Sequence, residues 1–462
     1  MRRRIAILLV LMFSLLVMVP AAGAQPLDSE GMMGVFPQKP ELNEPVTRAG
    51  FAAMLCEAAS LKVVKGSTVP ACDVDEDSWY AEALATLAQK EVMVGYPDGT
   101  FRPQQPVTGL EAGILAVRAL GLPETVSSTG VDSPLDWNHW GSSVYSWLLD
   151  QGLVSSQANP EGHITVENAA DFLARVFGCD EEAVAIVEKG QKSAATVEDM
   201  SFTGTMQMMM KPRAGAEAEM PLVQGSTQMT MEMILPDTLH QSMRMQFEGL
   251  PAGNGATPIP TMEMEQYLVD GSMYIKTVAP NSGETQWICL PGEALPDLKA
   301  LMEESLQANI GVPEELRKYF HYQLLGTTEK NGYPVYEIGY YGQIDDFEAF
   351  FRSVLPESMR SLVEGALEEG IEEAGKMYKS ISYWGKDYIG VDDNLSHASE
   401  VKMVMVFNDE FQGEPVPIEL MEMYMRADKL EYNTGVKIEL PLEALEAPEI
   451  PVPAESPAVP TA

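Results

Sequence analysis

Residues 92–108 read VMVGYPDGTFRPQQPVT, and the reading of this stretch decides the fold of the first half of the chain. Gly95-Tyr96-Pro97 opens a turn, and Asp98-Gly99 supplies a left-handed backbone position. Pro97 and Pro103 fix φ and stop regular structure, and Thr108 stands where it can cap a helix over the apolar run that follows. Upstream, Trp79, Ala83, Leu84, Leu87 and Ala88 fall on one side of a short amphipathic helix over 79–90. Helix, glycine turn, extended D-G-T-F, Thr cap, helix is the order of a repeat unit.

Two more copies flank it, each altered. The first runs Gly34-Val35-Phe36-Pro37, then Pro45-Val46-Thr47-Arg48-Ala49-Gly50-Phe51, then an apolar helix to about Leu61, with no helix before it. The third has Trp140, Tyr145, Leu148, Gly152 and Leu153, then Ile164-Thr165-Val166-Glu167-Asn168 and a helix to about Phe177, without the D-G-T-F turn. A period of about 55 to 60 residues with two helices per unit predicts pseudo-symmetric units that share a core.

The unit resembles the S-layer homology (SLH) module, which holds exported bacterial proteins on wall polysaccharide. The resemblance implies an all-α-rich pseudo-trimer over 25–178, with repeats at 32–62, 72–122 and 133–178, that binds anionic, pyruvylated secondary cell-wall polysaccharide. In such modules the helix starts T-R-A-E and the arginine meets the acidic sugar. Here the signature is split: the first repeat keeps Arg48 with Gly50 for the Glu, the second keeps Glu111 with Gly109 for the Arg, and the third has Val166 and Asn168. The polysaccharide-binding candidates so implied are Thr47, Arg48, Trp79, Tyr96, Arg102 and Glu111. Each has a plainer reading. Glu111 with Thr108 makes a T-x-x-E capping box, Arg48 is equally readable as a surface arginine, and Trp79 and Trp140 as core. A guanidinium suits a ketal carboxylate because it donates two parallel hydrogen bonds.

Compartment follows from the first 24 residues. Arg2-Arg3-Arg4, an apolar run from Ile5 to Val19 and Ala22-Gly23-Ala24 predict a secretory signal peptide. The run is about 15 residues, short of the roughly 20 that a spanning helix needs. No later segment is long and apolar enough to span a membrane, so the location implied is the bacterial cell wall or surface. The chain carries 30 basic against 68 acidic residues, a formal charge of −38, which argues against nucleic acid and anionic membrane as partners. Four scattered cysteines leave a Cys56–Cys72 disulfide or free thiols open, and five dispersed histidines give no zinc pattern.

From about Asp180 the composition changes. A helical linker (179–198) leads to runs of methionine at alternate positions: Met206, Met208, Met210; Met229, Met231, Met233; Met243, Met245; Met262, Met264; Met403, Met405; Met421, Met423, Met425. Those are fifteen of the 29 methionines. Gln207, Thr230, Glu232, Arg244, Glu263 and Glu422 alternate with them, so strands with a methionine face and a polar face are predicted. More strands are expected at 266–277, 286–290, 321–328, 334–341 and 380–390, turning at Asp270-Gly271, Asn331-Gly332 and Asp392–Asn394. Helices are expected near 294–307, 313–319 and 345–378.

The order of strand runs, the M-Y-I-K strand after a D-G turn and the Trp287 strand resemble the LolA/LppX-like carrier fold. That resemblance implies, over 199–445, an α+β domain with a large antiparallel half-barrel sheet whose inner face holds lipid or another apolar ligand. The groove candidates are Met206, Met208, Met229, Met231, Met243, Met245, Met262, Met264, Met403, Met405, Met421 and Met423. Methionine is unbranched and polarizable, so it suits variable ligands, yet the same pattern can line an ordinary sealed core. Thioethers also favour Cu(I), but no histidine or cysteine adjoins them. After Leu445 a Pro/Ala/Glu-rich tail (446–462) is expected to be disordered. No nucleophile motif, metal motif, P-loop or dinucleotide fingerprint occurs, so a multidomain, non-enzymatic protein without a cofactor is expected. The alternatives are a structural envelope protein with a sealed core and an extracytoplasmic Cu(I) buffer.

Overall fold

The computed structural model describes residues 27, 29–63, 66–67, 69, 71–124, 126, 135, 139–217, 221–249, 261–278, 285–292, 319–346, 350 and 375–449. The expected signal peptide, nearly all of the helices expected over 294–307, 313–319 and 345–378, and the tail from 450 lie outside those residues.

The first half is helical. α1 (Ser29–Met32) and a 3-10 turn at Met33–Val35 precede the first repeat, where the sequence suggested no helix. α2 (Arg48–Ala58), α3 (Ala81–Gln89), α4 (Gly109–Ala119), α5 (Ser142–Asp150) and α6 (Val166–Phe177) follow. Trp79 lies outside the start of α3, and α2 stops before Leu61. The helices α2, α4 and α6 are each started by a threonine cap: Thr47 Oγ1 accepts from Gly50 N, Thr108 from Glu111 N and Thr165 from Asn168 N.

The segments entering these helices are joined in a cycle. Val46 N donates to Ile164 O at 2.9 Å, Ile164 N to Val107 O at 3.1 Å, and Val107 N to Val46 O at 3.0 Å. Arg48 N to Gln105 O, Gly109 N to Gly162 O and Val166 N to Glu44 O repeat the pattern one step outward. Around this ring Phe51, Leu55, Leu84, Leu115, Trp147, Leu148 and Leu173 are buried in one core. No disulfide supports it: Cys56 is buried with its Sγ on Ala83 O, Cys72 is exposed, and none of the four cysteines is disulfide-bonded.

The second half is an open antiparallel sheet of eleven strands: β1 (Asp199–Pro212), β2 (Val223–Ile234), β3 (Thr238–Glu248), β4 (Thr261–Val269), β5 (Ser272–Val278), β6 (Thr285–Leu290), β7 (His321–Lys330), β8 (Tyr333–Ile344), β9 (Tyr378–Gly390), β10 (Ser396–Phe407) and β13 (Ile418–Tyr432). A two-stranded hairpin, β11 (Glu410–Phe411) with β12 (Glu414–Pro415), interrupts the last connection. The sheet order is β6-β5-β4-β3-β2-β1-β13-β10-β9-β8-β7. Asp270-Gly271 and Asn331-Gly332 hold φ of 50° and 75°, and 54° and 84°, which is the left-handed pair that two-residue hairpins need. Residues 375–377 are helical and Tyr378 starts β9, so the helical segment expected to end at Tyr378 ends one residue earlier.

Each face of the sheet near β8–β10 has its own cover. On the methionine face, α7 (Glu181–Ala194) packs Ala183, Ile186 and Val187 against a cluster containing Tyr322, Ile338, Tyr383 and Met403. The segment expected as a linker is thus part of the sheet's packing. On the opposite face, Tyr341, Trp384 and Val404 join the helical core, and Trp147 meets Tyr341 edge-on at 5.2 Å. Ser382 Oγ and Gln343 Nε2 donate to Gly121 O, and Lys386 Nζ sits 2.7 Å from Asp150 and 2.9 Å from Glu337. The chain then returns through α8 (Leu442–Leu445) to the edge strand β6, where Cys289 N donates to Pro448 O. The tail expected to be free from 446 is therefore bonded at its start, because an edge strand offers unpaired N–H groups.

Candidate functional site

The six candidates in the helical block separate into three roles. Thr47 is a helix cap. Glu111 completes the capping box, its carboxylate accepting from Thr108 N at 2.9 Å while its own N–H donates to Thr108 Oγ1. Arg48, Tyr96 and Arg102 are brought together: the two guanidiniums stand 5.1 and 3.8 Å from the centre of the Tyr96 ring.

Arg48 is 6% exposed, with Nε donating to Phe101 O at 2.9 Å and Nη2 to Val94 O at 3.5 Å. It ties the start of the first repeat's helix to the second repeat's Gly-Tyr-Pro turn. Arg102 is exposed, holds a positive φ of 51° and reaches Asp98 at 2.9 Å. Asp98 is held down at about 2 by the Thr100 hydroxyl first, then by Arg102 and the Thr100 N–H. Trp79 is 43% exposed and packs beside Phe36 at 5.5 Å. The glycine that stands for the Glu of T-R-A-E has a local reason: a Cβ on Gly50 would lie 3.0 Å from the Phe36 ring. Sequence reasoning missed Asp73, whose carboxylate accepts from Phe101 N at 2.8 Å and Arg102 N at 2.7 Å and so fixes the D-G-T-F-R turn. An acidic residue 25 positions before that turn carries no signal in one sequence.

The methionines share one face, as their register requires. Met403 pairs with Met423 and Met423 with Met208; Met405 pairs with Met421 and Met421 with Met210; Met425 pairs with Met206. Farther along, Met229 pairs with Met243 and Met243 with Met264, and Met245 pairs with Met262. Met231 lies across from Phe202 and Met233 from Met200.

Burial along this face is graded. Met405 is fully buried, Met403 and Met423 nearly so, in a core with Ile381 and Tyr383. Met206, Met208, Met231, Met243, Met245, Met264 and Met421 are half-buried, whereas Met229 is buried beside Phe202 and Leu430. Met262, at the start of β4, is 43% exposed. The face is a closed core at β9–β10, whereas at β3–β4 its methionines are half-buried to exposed, though Leu268 on β4 is buried. Its chemistry is soft and apolar, with thioethers and aromatic rings as the contacts it can offer. Burial pushes the Tyr322, Tyr340 and Tyr383 hydroxyls well above the usual tyrosine range, so they stay neutral donors there.

Comparison with known proteins divides the chain at the same place. The S-layer homology domain model matches residues 73–112, and a model described as a family of unknown function, DUF6612, matches residues 182–449. Curated relatives match less than a third of the chain. The middle cell wall protein of Brevibacillus brevis is 28% identical over 153 residues, covering 30% of this chain and 14% of that protein. The surface layer protein of Brevibacillus choshinensis is 29% identical over 136 residues, covering 29% and 11%. The cellulosome-anchoring protein of Acetivibrio thermocellus is 30% identical over 122 residues, covering 25% and 27%. The chain thus spans a minor part of the length of each. Among solved structures, LprF from Mycobacterium bovis is similar at 13% identity over 57% of this chain and 98% of that one, with a TM-score of 0.29. The Mycobacterium tuberculosis lipoprotein LppX is similar at 9% identity over 56% and 100%, with a TM-score of 0.23. The S-layer homology domain and the surface-layer relatives indicate a cell-surface or secreted location. Among the described residues, no helix is long and apolar enough to cross a membrane.

Proposed function

The chain belongs to the DUF6612 family, a family of unknown function, and carries an S-layer homology domain ahead of it; on that premise we propose a wall-associated, non-enzymatic carrier of an apolar ligand. The observation that carries this reading is the graded methionine face, closed at one end and half-open at β3–β4. A core that only had to be filled would be better specified by Leu, Ile and Val, whereas unbranched thioethers adapt to a chain of variable shape. The ligand class that fits is a lipid or a similar hydrocarbon.

We infer likewise that the three capped helices form a pseudo-trimeric SLH block that takes anionic secondary wall polysaccharide. The cyclic backbone bonds and the paired guanidiniums on Tyr96 support it. Arg102, exposed and already ion-paired with Asp98, is the cation within reach of an acidic sugar, while Arg48 holds the turn that presents it.

Two measurements on the full chain test the two halves. Organic extraction followed by mass spectrometry, and titration with a fluorescent fatty acid, should both reveal an apolar ligand; Met243→Gln with Met264→Gln should weaken the titration. A chain that carries no apolar molecule and takes up no probe sinks the carrier reading. Co-sedimentation with wall sacculi should hold the chain and release it once pyruvyl groups are removed; no sedimentation at all removes the anchoring reading.

A further inference from the structure

We propose that Met243, Met245, Met262 and Met264 form a soft-metal site on the methionine face of β3–β4, a cage of thioethers for a single Cu(I) ion. The inference stands on register and packing and does not rest on the carrier reading. Met243 lies directly across from Met264, and Met245 from Met262. Side chains two positions apart on a strand share a face, so the four stand two by two on one patch. Directly opposed Cβ atoms are about 4.5–5.5 Å apart, and alternate residues along a strand about 6.8 Å apart. With that spacing and three rotatable bonds in each side chain, four sulfurs can meet at one point above the patch without movement of the backbone.

Packing separates this square from its neighbours. Met206, Met208, Met423 and Met425 form a like square on β1 and β13, but all four belong to the core around Tyr383 and Phe407. In the β3–β4 square Met243 packs against the buried cluster of Phe202, Met229 and Leu430. Among the described residues, Met245, Met262 and Met264 pack against no buried cluster, and Met262 is 43% exposed. Core filling therefore accounts for one of these four methionines and leaves three without a reason. Met262 gives the square a side open to solvent.

The donor set names the ion. Thioether sulfur is a soft, neutral ligand that selects Cu(I), whereas carboxylates and carbonyls suit Mg, Ca and Mn. The charged residues next to the square, Arg244, Glu263 and Glu265, alternate to the other face, so no guanidinium opposes a cation among the sulfurs. A monovalent ion also costs far less to bring onto an apolar face than a divalent one. The formal charge of −38 on the chain draws cations toward it. Among the described residues, no group of three or more His, Cys, Asp or Glu side chains could hold a metal, so the square has no rival of that kind there.

The test uses the full chain carrying Cys72→Ser, because Cys72 is an exposed thiol that would compete for the ion. Methionine methyl groups are labelled for NMR, and Ag(I), an air-stable stand-in for Cu(I), is titrated in. One equivalent should shift the methyl signals of Met243, Met245, Met262 and Met264, assigned by changing each in turn to leucine. The signal of the fully buried Met405 should stay in place, and Zn2+ should shift none of the four. Met262→Leu with Met264→Leu keeps the face apolar and should weaken Ag(I) binding about tenfold or more. Met262→Leu alone, at an exposed position, should weaken it in the same direction and decides the matter if the double variant does not fold. Signals that ignore Ag(I), shifts centred on other methionines, or leucine variants that bind as well as their parent overturn the proposal. The carrier reading is scored separately by the fatty-acid titration. A chain that takes the fatty acid but no silver loses this site alone, and one that takes silver but no fatty acid loses the carrier reading alone.

Discussion

Arg48 shows how differently one residue reads alone and in place. In the sequence it is the sole complete remnant of a T-R-A start and a ligand candidate; in the structure its guanidinium is buried and bonded to Phe101 O and Val94 O. Arg48→Ala should cost about 2–3 kcal/mol in chemical denaturation, because two carbonyls lose a charged donor. Unchanged stability with lost wall binding would instead make it a ligand contact. Asp387, on the methionine face, makes a pH-dependent prediction. Burial pushes its carboxyl up to about 6, although the Ser396 hydroxyl and Tyr388 N–H pull it back. A pKa raised on folding means that the folded chain binds the proton more tightly, so stability should fall as pH rises from about 4 through about 6. Asp387→Asn should flatten that fall and raise stability at pH 7 by up to about 3 kcal/mol, measured by denaturant titration across the range. Neither effect was legible in the sequence. The cap at Thr108 and its capping box with Glu111 were, because such motifs are local, whereas the burial of Arg48 and Asp387 depends on segments far away in the chain.

Elements were more legible than residues, and for a stated reason. Strands β1, β2, β3, β10 and β13 announce themselves by strict alternation of methionine with polar residues, since a strand with one dry face must alternate. The hairpins at Asp270-Gly271 and Asn331-Gly332 were equally plain, because their backbone angles demand those residues. What alternation could not tell was how deeply each methionine is buried, which depends on what packs over that face, α7 among them. The gradient predicts a contrast. Met405→Ala should cost about 2–5 kcal/mol, as a large-to-small change in a closed core, whereas Met262→Ala should stay within about 0.5 kcal/mol. Paired thermal melts of the two variants check it, and equal losses would mean that β4 is as sealed as β10.

At the scale of the molecule, the helical block and the sheet share one core, through Trp147, Tyr341 and Trp384, and an ion-paired lysine. Lys386 is buried; burial alone would lower its pKa, but the hydrogen bonds and charges of Asp150 and Glu337 outweigh that and raise it. Lys386→Ala leaves Asp150 buried without its cation and should cost about 3–5 kcal/mol. Scanning calorimetry should then show two transitions where the wild type shows one; a single unsplit peak would mean that the apolar contacts suffice to couple the halves. No sequence pattern announced this joint, because Lys386 and Asp150 lie 236 positions apart.

The cycle of bonds through Val46, Val107 and Ile164 bears on mutational latitude. It is made by main-chain N–H and C=O groups, which every residue except proline possesses in full. Side chains at the helix starts can therefore drift without opening the ring. That is a physical account of how one repeat can carry Gly50 for a glutamate, the next Gly109 for an arginine, and the third neither charge, while all three remain closed upon each other. What the architecture forbids at those three donors is proline, and at the buried Val46 and Val107 any polar or oversized side chain as well.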